Sequence, residues 1–449
     1  MKLHIFMGLV TFLVSIPSMA NMTDENKQKL DTYLTILDKY NKAMLSVAIY
    51  HEDQLTYSHT IGKLDVKKNI PLQADSRFRI GSLTKSFTAV LVMKAVEQGK
   101  LSLTQHLADY FPQFPRGKDI SLEQLLAHTS GLYNFTDAPE YLSSMTQPTS
   151  QDALFAKMAS YPLDFEPGTK TRYSNTNYVL LGLILEKAYG VTYGELLARQ
   201  ITKPFGLEHT YVGKKINTEK GEALSFKFNE YWEPSPETDM SIPLGAGAIV
   251  STANDINYFY QQLFKNKIVT KASLKMMKPN NTHIGKGLMS FSFHEKTFLG
   301  HNGSIDGFNA IAGYYNEDKM SFVVLSNATN TPFNDILTAV LSAYFNKNFD
   351  IPDFTLKPID LQADQLTAFT GKYQSRMIPR DIQIFVQNDK LYAQPSGRSS
   401  FSLQAYPGDE FRFDSAGIII RFNRISDTQR EVKGFTLFEG DGQFDFTRM

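Results

Sequence analysis

Ser82 and Lys85 are the two residues whose types and spacing most directly suggest nucleophilic chemistry. After them, apolar residues recur at helical spacing from Phe87 to Val96, and Gly99 is a typical helix stop. This pattern predicts Ser82 at or near a helix N-terminus, where free backbone N–H groups and the helix dipole favour negative charge. Lys85 lies on the same helical face, and a lysine whose pKa is lowered by burial can accept a serine proton. The pair therefore predicts acylation of Ser82.

Taken alone, this pair is a weak signal, because Ser-x-x-Lys is expected by chance about once in such a chain. On that alternative, Ser82 only caps a helix and Lys85 is solvated. A second motif, Tyr173-Ser174-Asn175, follows Pro167-Gly168 in a predicted loop, unlike the Tyr-x-Asn sequences that begin at Tyr314 and Tyr344. A tyrosine beside a lysine ammonium is pushed towards phenolate, so Tyr173 is a candidate general base.

A third motif, His301-Asn302-Gly303-Ser304, leads into a predicted strand. Gly303 would let a substrate approach the backbone of the strand edge, and the Ser304 N–H could face an oxyanion. The other His-x-Gly sequence begins at His283 in a polar loop and is interpreted as surface. His128 precedes Thr129-Ser130-Gly131, and we interpret it as stabilising a turn rather than as catalytic.

The spacing of apolar residues predicts the helices and strands that must position these motifs. Residues 121–128 are predicted to form a short helix, which Gly131 would close in the left-handed conformation. Five strands with helices between them predict an antiparallel sheet drawn from both ends of the domain, with helices on it, an α/β (α+β) fold. The predicted helices are 23–40, the one after Ser82, 152–160, 177–189, one starting at Thr252, and 334–345; the strands are 46–50, 55–59, 298–304, 310–315 and 321–326.

The length of the chain and its proline-containing stretch predict three parts in the 449 residues. They are a large domain at 21–350, a linker at 351–364 and a small C-terminal all-β domain at 365–449. The last domain is predicted from short alternating runs separated by turn residues.

Composition excludes several classes of function. Lys plus Arg and Asp plus Glu both number 46, so no excess positive charge points to nucleic acid or an anionic membrane. The absence of cysteine removes disulfides, thiol catalysis and thiolate metal sites. No His-Glu-x-x-His metal motif and no Gly-x-Ser-x-Gly nucleophile elbow occurs. We therefore expect no metal and no cofactor, and the sequence leaves the oligomeric state open.

The N-terminus predicts export. Lys2 and His4 precede an apolar run at 5–16, and small residues before a cut after Ala20 complete the pattern of a signal peptide, residues 1–20. The alternative is a membrane anchor, but the run is shorter than the roughly 20 residues that a spanning helix needs. The expected location is the periplasm or outside the cell, with no integral membrane segment after cleavage.

Together, Ser82-x-x-Lys85, Tyr173-Ser174-Asn175 and His301-Asn302-Gly303 resemble the motifs of the serine β-lactamase and D,D-peptidase superfamily. The likeness is nearest to its class C-like branch, which includes D-aminopeptidases and esterases, and extends over about residues 25–345. It implies a sheet with helices on both faces, an all-helical lobe, and an active site between them. The C-terminal domain resembles the lipocalin-like domain often appended to this branch.

The resemblance also implies a role for each motif residue. Ser82 would be the nucleophile, Lys85 and Tyr173 would share proton transfer, and Asn175 would orient the substrate. The N–H groups of Ser82 and Ser304 would form the oxyanion hole.

One position departs from the pattern of class C β-lactamases, which have Lys-Thr-Gly where this chain has His301-Asn302-Gly303. An unperturbed imidazole is largely neutral at pH 7 and cannot replace a permanent ammonium beside a substrate carboxylate. We therefore expect a serine hydrolase of D-residue peptides, amides or small esters. The alternatives are a β-lactamase or D,D-carboxypeptidase, and a catalytically silent protein that binds cell-wall fragments or β-lactams.

Overall fold

A computed structural model gives the structure of residues 22–280, 282–378, 381–413, 417–424, 431–439 and 442–449. The α-helices are α1 (Asp24–Lys39), α2 (Thr84–Glu97), α3 (Leu107–Tyr110), α4 (Leu122–Leu126), α5 (Tyr141–Ser144), α6 (Gln151–Ser160), α7 (Asn175–Tyr189), α8 (Tyr193–Leu197), α9 (Leu244–Gly247), α10 (Ala253–Phe264), α11 (Lys271–Met277), α12 (Phe333–Tyr344) and α13 (Ala363–Leu366). The strands of the first 345 residues are β1 (Ala43–His51), β2 (Gln54–Ile61), β3 (Lys63–Asp65), β4 (Ile70–Pro71), β5 (Phe78–Arg79), β6 (Tyr211–Val212), β7 (Phe226–Asn229), β8 (Tyr231–Pro234), β9 (Ile249–Ser251), β10 (Met289–Phe293), β11 (Lys296–Ile305), β12 (Phe308–Tyr315) and β13 (Met320–Thr329).

The central feature is a six-stranded antiparallel sheet in the order β10-β11-β12-β13-β1-β2. Strands from both ends of this region meet where β1 pairs with β13, as the sequence predicts. The edge strand β10 is partly buried and was not predicted, although its residues alternate between apolar and polar. The pairing of β10 with β11 stops at Met289 and Gly300, so the part of β11 after Gly300 has no strand partner on that side.

Helices cover both faces of the sheet. On one face, α1 and α12 pack over residues such as Val47, Ile49 and Val324. On the other face, α2, α7 and α10 belong to a larger apolar core that extends into the helical lobe. Thr23 caps α1 by accepting a hydrogen bond from the Asn26 N–H at 3.2 Å. The α/β (α+β) fold with an antiparallel sheet and flanking helices is confirmed.

Close to the motif residues, two helix ends differ from the predictions. The α7 helix begins at Asn175 rather than at 177, since extended Ser174 is its N-cap. The α4 helix is closed by His128, which has a φ of 57°, rather than by Gly131. Non-glycine residues adopt this left-handed conformation only where their surroundings hold them, and the ring contacts of His128 supply that restraint.

The C-terminal strands form a closed eight-stranded antiparallel barrel, so the predicted small all-β domain is confirmed. Its core is built from inward-facing apolar residues such as Ile384, Phe411 and Phe435. The β14 and β17 strands were not predicted: β14 has only 4 residues, and β17 was missed although its residues alternate between apolar and polar. The barrel strands are β14 (Gly371–Gln374), β15 (Ile382–Gln387), β16 (Lys390–Pro395), β17 (Phe401–Tyr406), β18 (Glu410–Phe413), β19 (Ile418–Arg424), β20 (Val432–Glu439) and β21 (Gly442–Arg448).

The predicted signal peptide and its membrane-anchor alternative lie outside the described residues. Among the helices that the structure does describe, none is long and apolar enough to cross a membrane. The domain limits at 350 and 364 stay predictions.

Candidate active site

Ser82 lies in a single 3-10 turn, Gly81–Leu83, that leads directly into α2. The turn is held by the short strand β5, which pairs with β9, and by the Ile80 N–H, which donates to Ile249 O at 3.0 Å. Gly81 has a φ of 51°, which glycine adopts at little cost. The predicted position of Ser82 at a helix start is therefore observed, and the turn presents its side chain to a cleft.

Lys85 is buried, one helical turn from Ser82, with its Nζ 3.0 Å from Ser82 Oγ. Its two other partners are the carbonyl oxygens Asn175 Oδ1 at 2.8 Å and Ala246 O at 2.7 Å. Burial lowers the pKa of Lys85 well below its ordinary value. An ammonium fits this geometry by donating to all three oxygens, and a neutral amine fits it by donating to the two carbonyl oxygens and accepting from the Ser82 hydroxyl.

Asn175 is fixed in orientation by its place at the start of α7. Its backbone N–H donates to Asn134 Oδ1 at 2.9 Å, and its side-chain Nδ2 donates to Thr136 Oγ1 at 3.0 Å. The carbonyl end of the side chain is thereby directed at Lys85. Sequence reasoning did not identify Asn134 or Thr136, which lie about 40 residues from Asn175 and share no motif with it.

Tyr173 stacks on His128, with ring centroids 4.4 Å apart, and its ring centroid lies 4.9 Å from Lys85 Nζ. Its hydroxyl is buried and has no hydrogen-bond partner among the described residues. Burial raises the pKa of Tyr173, and the Ser82 hydroxyl, which is near the phenol but outside hydrogen-bonding geometry, lowers it by a smaller amount. The phenolate–ammonium pair that the sequence suggested is therefore disfavoured, because burial stabilises the neutral forms of both side chains.

His128 anchors this wall of the site. Its Nδ1 accepts a hydrogen bond from the Ser174 N–H at 3.1 Å and lies 3.2 Å from Asn177 Nδ2. Burial, with Lys85 and His301 nearby, lowers the pKa of His128 well below its ordinary value. The geometry agrees with the predicted role in stabilising a turn, since His128 fixes the segment that carries Tyr173.

His301 lies in the part of β11 that extends beyond β10, and its ring centroid is 6.4 Å from that of Tyr173. It is buried, and its Nδ1 lies 2.5 Å from Asn302 O. Burial and the proximity of Lys85 lower the pKa of His301 to about 3, so the imidazole is neutral at pH 7. The sequence expectation that this position carries no permanent charge agrees with the local structure.

Gly303 and Ser304 run beside the nucleophile turn. A Cβ added at Gly303 would lie 2.0 Å from Ile80 O and 2.9 Å from Ser82 N. A Cβ added at Gly81 would lie 2.9 Å from Ser304 N. Gly303 therefore admits the Ile80–Ser82 backbone of this chain and brings the Ser82 and Ser304 segments together. The approach of a substrate at Gly303 stays a prediction.

A buried ion pair that sequence reasoning missed joins the same two segments. Arg79 precedes the nucleophile turn and contacts Asp306, just beyond Ser304, at 2.9 Å. The second Asp306 oxygen accepts from the Thr238 N–H at 3.0 Å and the Thr238 hydroxyl at 2.5 Å. No spacing rule connects residues 227 positions apart, so this pair could not be found from the sequence.

Beside the nucleophile turn lies a cleft of about 310 Å³, whose lining does not include Lys85, Tyr173, His301 or Gly303. Ser82 and Asn175 lie in its lining, and the other lining residues are mainly apolar or uncharged: Gly81, Phe135, Thr136, Tyr141, Leu142, Met145, Lys227, Pro236, Thr238, Pro243, Ala246, Gly247, Ser304, Ile305 and Asp306. Among the described residues, no cluster of His, Asp and Glu side chains could hold a metal ion.

Known proteins share this architecture. The chain is 25% identical to a penicillin-binding protein of Bacillus subtilis (strain 168), over 94% of this chain and 99% of that protein. D-amino acid amidase from Ochrobactrum anthropi SV3, solved with L-phenylalanine, is 28% identical with a TM-score of 0.63, over 71% of this chain and 99% of that one. The octameric penicillin-binding protein homologue from Pyrococcus abyssi, 23% identical, shares the fold over 95% of this chain and 100% of that one, with a TM-score of 0.65. The sequence profile of the family described as Beta-lactamase matches residues 29–345. The chain therefore belongs to the Beta-lactamase family, and it is a serine hydrolase.

Proposed function

We propose that the enzyme forms an acyl-enzyme on Ser82 from D-residue peptides, D-residue amides or small esters, and then transfers the acyl group to water. The observation that carries this proposal is the 3.0 Å contact between Ser82 Oγ and Lys85 Nζ, a buried amine whose other two partners are carbonyl oxygens. Burial lowers the pKa of this amine, which favours the proton-accepting form that a serine nucleophile requires.

The geometry supports the following reaction. Lys85 takes the hydroxyl proton as Ser82 Oγ attacks the substrate carbonyl carbon, and the Ser82 and Ser304 N–H groups stabilise the resulting oxyanion. Collapse of this intermediate breaks the bond to the amine or alcohol, which leaves with the proton that Lys85 and the Tyr173 hydroxyl relay. Water then attacks the ester, and its proton returns to Ser82 by the same route. Asn175 holds Lys85 in position and borders the bound substrate.

The substrate class is supported by two observations. A D-amino acid amidase shares 28% identity with this chain. At the position where class C β-lactamases have a lysine, this chain has His301, whose imidazole is neutral at pH 7. β-Lactamase or D,D-carboxypeptidase activity is the second candidate, and it is favoured by similarity to a penicillin-binding protein along nearly the whole chain.

The test combines labelling with turnover. A fluorophosphonate probe is expected to add once, at Ser82, in the wild type and in the control Ser292→Ala, which changes an exposed serine on β10. Ser82→Ala is expected to lose both the label and the hydrolysis of D-amino acid anilides and short esters while remaining folded. Hydrolysis that survives in Ser82→Ala would remove the proposal, and an unlabelled, inactive wild type would favour the silent binding protein.

We also propose that the enzyme acts in the periplasm or outside the cell, on the strength of the signal pattern at residues 1–20. A mature N-terminus at Asn21 in protein recovered from that compartment would support export. An intact Met1 in protein recovered from the cytoplasm would contradict it.

A further inference from the structure

The charge of the cleft is concentrated in one side chain. Of the described residues that line it, only Lys227 and Asp306 are charged at neutral pH. Asp306 is 1% exposed and is bound by Thr238 and by Arg79, which it shares with Glu237, a residue outside the cleft lining. Lys227 is exposed, and no hydrogen bond or ion pair of its ammonium occurs within the described part of the chain. The cleft therefore presents a single accessible positive charge.

The position of Lys227 is fixed relative to the proposed oxyanion hole. It lies on β7, next to buried Phe226, in the β7–β8 hairpin. Gly307, three residues after Ser304, packs so tightly on this strand that an added Cβ would lie 2.7 Å from Phe226 O. The Gly307 N–H also donates to Ser225 Oγ at 3.1 Å. Lys227 is thus carried by a strand that is attached to the end of β11.

The other basic groups near Ser82 do not supply this charge. Lys85, His128 and His301 are buried and are not among the residues that line the cleft, and burial lowers the pKa of each. Glu233 is paired with Lys227 across the hairpin, but no ion pair joins the two side chains in the described structure. Cross-strand charge pairs of this kind contribute only about 0.2–1 kcal/mol, so Lys227 remains available to a stronger partner.

The rest of the cleft is suited to an apolar group. Phe135, Leu142, Met145 and Pro236 contribute hydrocarbon surface, and Leu142 is 76% exposed at the cleft. Exposed apolar surface next to polar groups is typical of a ligand-binding site.

We propose that Lys227 is a specificity-determining residue that selects substrates carrying a carboxylate together with an apolar group. The inference rests on the proposed function of Ser82 for its turnover, but the binding preference does not require turnover. It assigns to the β7–β8 hairpin the carboxylate recognition that the neutral His301 cannot provide.

The experiment compares substrates that differ only in a carboxylate and its carboxamide. Two pairs are used: mono-p-nitrophenyl glutarate with its amide, and an N-acyl-D-phenylalanyl-D-alanine with its C-terminal amide. Wild type is expected to favour the acid in kcat/KM for at least one pair. Lys227→Ala is expected to lower that acid-to-amide ratio about tenfold or more, the usual effect of losing a hydrogen bond to a charged group. Lys227→Arg is expected to retain the ratio.

Controls separate this proposal from the function of Ser82. Lys271→Ala removes an exposed lysine on α11, outside the cleft lining, and is expected to leave the ratio unchanged. Calorimetric binding of the same four compounds to Ser82→Ala and Ser82→Ala/Lys227→Ala gives the preference without catalysis. The acid preference is also expected to fall with added salt. Equal ratios in wild type and Lys227→Ala, or equal acid and amide binding by Ser82→Ala, would overturn the role of Lys227 even if Ser82 is labelled.

Discussion

Gly303→Ala tests whether the contact between β11 and the nucleophile turn sets the rate of acylation. The new Cβ would lie 2.0 Å from Ile80 O and 2.9 Å from the backbone nitrogens of Ser82 and Leu83. Both sides of this contact are backbone, so no flexible side chain can move aside. The two segments must separate by about 1.4 Å to restore an ordinary contact of 3.4 Å. This displacement falls on the two N–H groups that are proposed to bind the oxyanion.

The expected result is a folded protein with slow chemistry. Overpacking of this kind lowers the free energy of unfolding by about 1–3 kcal/mol. Misplacement of the oxyanion donors by about 1.4 Å is expected to slow fluorophosphonate labelling of Ser82 about 100-fold, and ester turnover by a similar factor. Urea titration measures the first quantity, and intact-protein mass spectrometry against time measures the second.

The matched control is Gly194→Ala on α8, where an added Cβ would lie 3.5 Å from the Val212 side chain in ordinary contact. In a helix this change is expected to stabilise the fold by about 0.5–1 kcal/mol and to leave labelling unchanged. If Gly303→Ala were labelled within about threefold of the wild-type rate despite the predicted loss of stability, the reasoning about the oxyanion donors would be refuted.

Two further predictions concern the proposed proton-transfer groups. Because burial lowers the pKa of Lys85, the unfolded chain binds one proton more than the folded chain between that pKa and 10.5, so wild-type stability relative to Lys85→Met is expected to rise with pH. Urea titrations from about pH 7 to 10 would measure this rise, at most about 1.4 kcal/mol per pH unit, and a difference that falls with pH would contradict a buried neutral amine. Tyr173→Phe removes a buried hydroxyl without a hydrogen-bond partner in the described structure and is expected to stabilise the fold by about 1 kcal/mol while lowering kcat about 100-fold or more. Thermal unfolding and ester turnover would test it, and unchanged kcat would exclude a proton-transfer role for Tyr173.

The fold was predictable where one element carries its own pattern. The period of apolar residues after Ser82 predicts α2, and Thr23 predicts the start of α1. The left-handed residue that closes α4 could not be predicted, because His128 is held there by ring stacking with Tyr173 and Tyr178. The strands β10 and β17 alternate apolar and polar residues, so both could have been predicted from their own sequences.

The candidate site was predictable as a set of motifs but not as an electrostatic environment. Spacing within Ser82-x-x-Lys85 gives one helical turn, whereas the protonation of Lys85 depends on burial by α7 and α9. The sequence therefore suggested a phenolate at Tyr173, and the structure favours the neutral phenol. Arg79 and Lys227 belong to no motif, and only the folded chain places them beside the cleft.

The three basic side chains near Ser82 explain how one cleft holds both a base and a site for an anion. Lys85, His128 and His301 are buried close enough together that a charge on one disfavours a charge on the others. Their neutral forms are satisfied by carbonyl oxygens, an N–H group and a hydroxyl. A permanent ammonium at position 301 would place a full charge inside this group. With histidine there, Lys85 works as a base without a charged neighbour, and a substrate anion must find its partner at the exposed rim, where Lys227 lies.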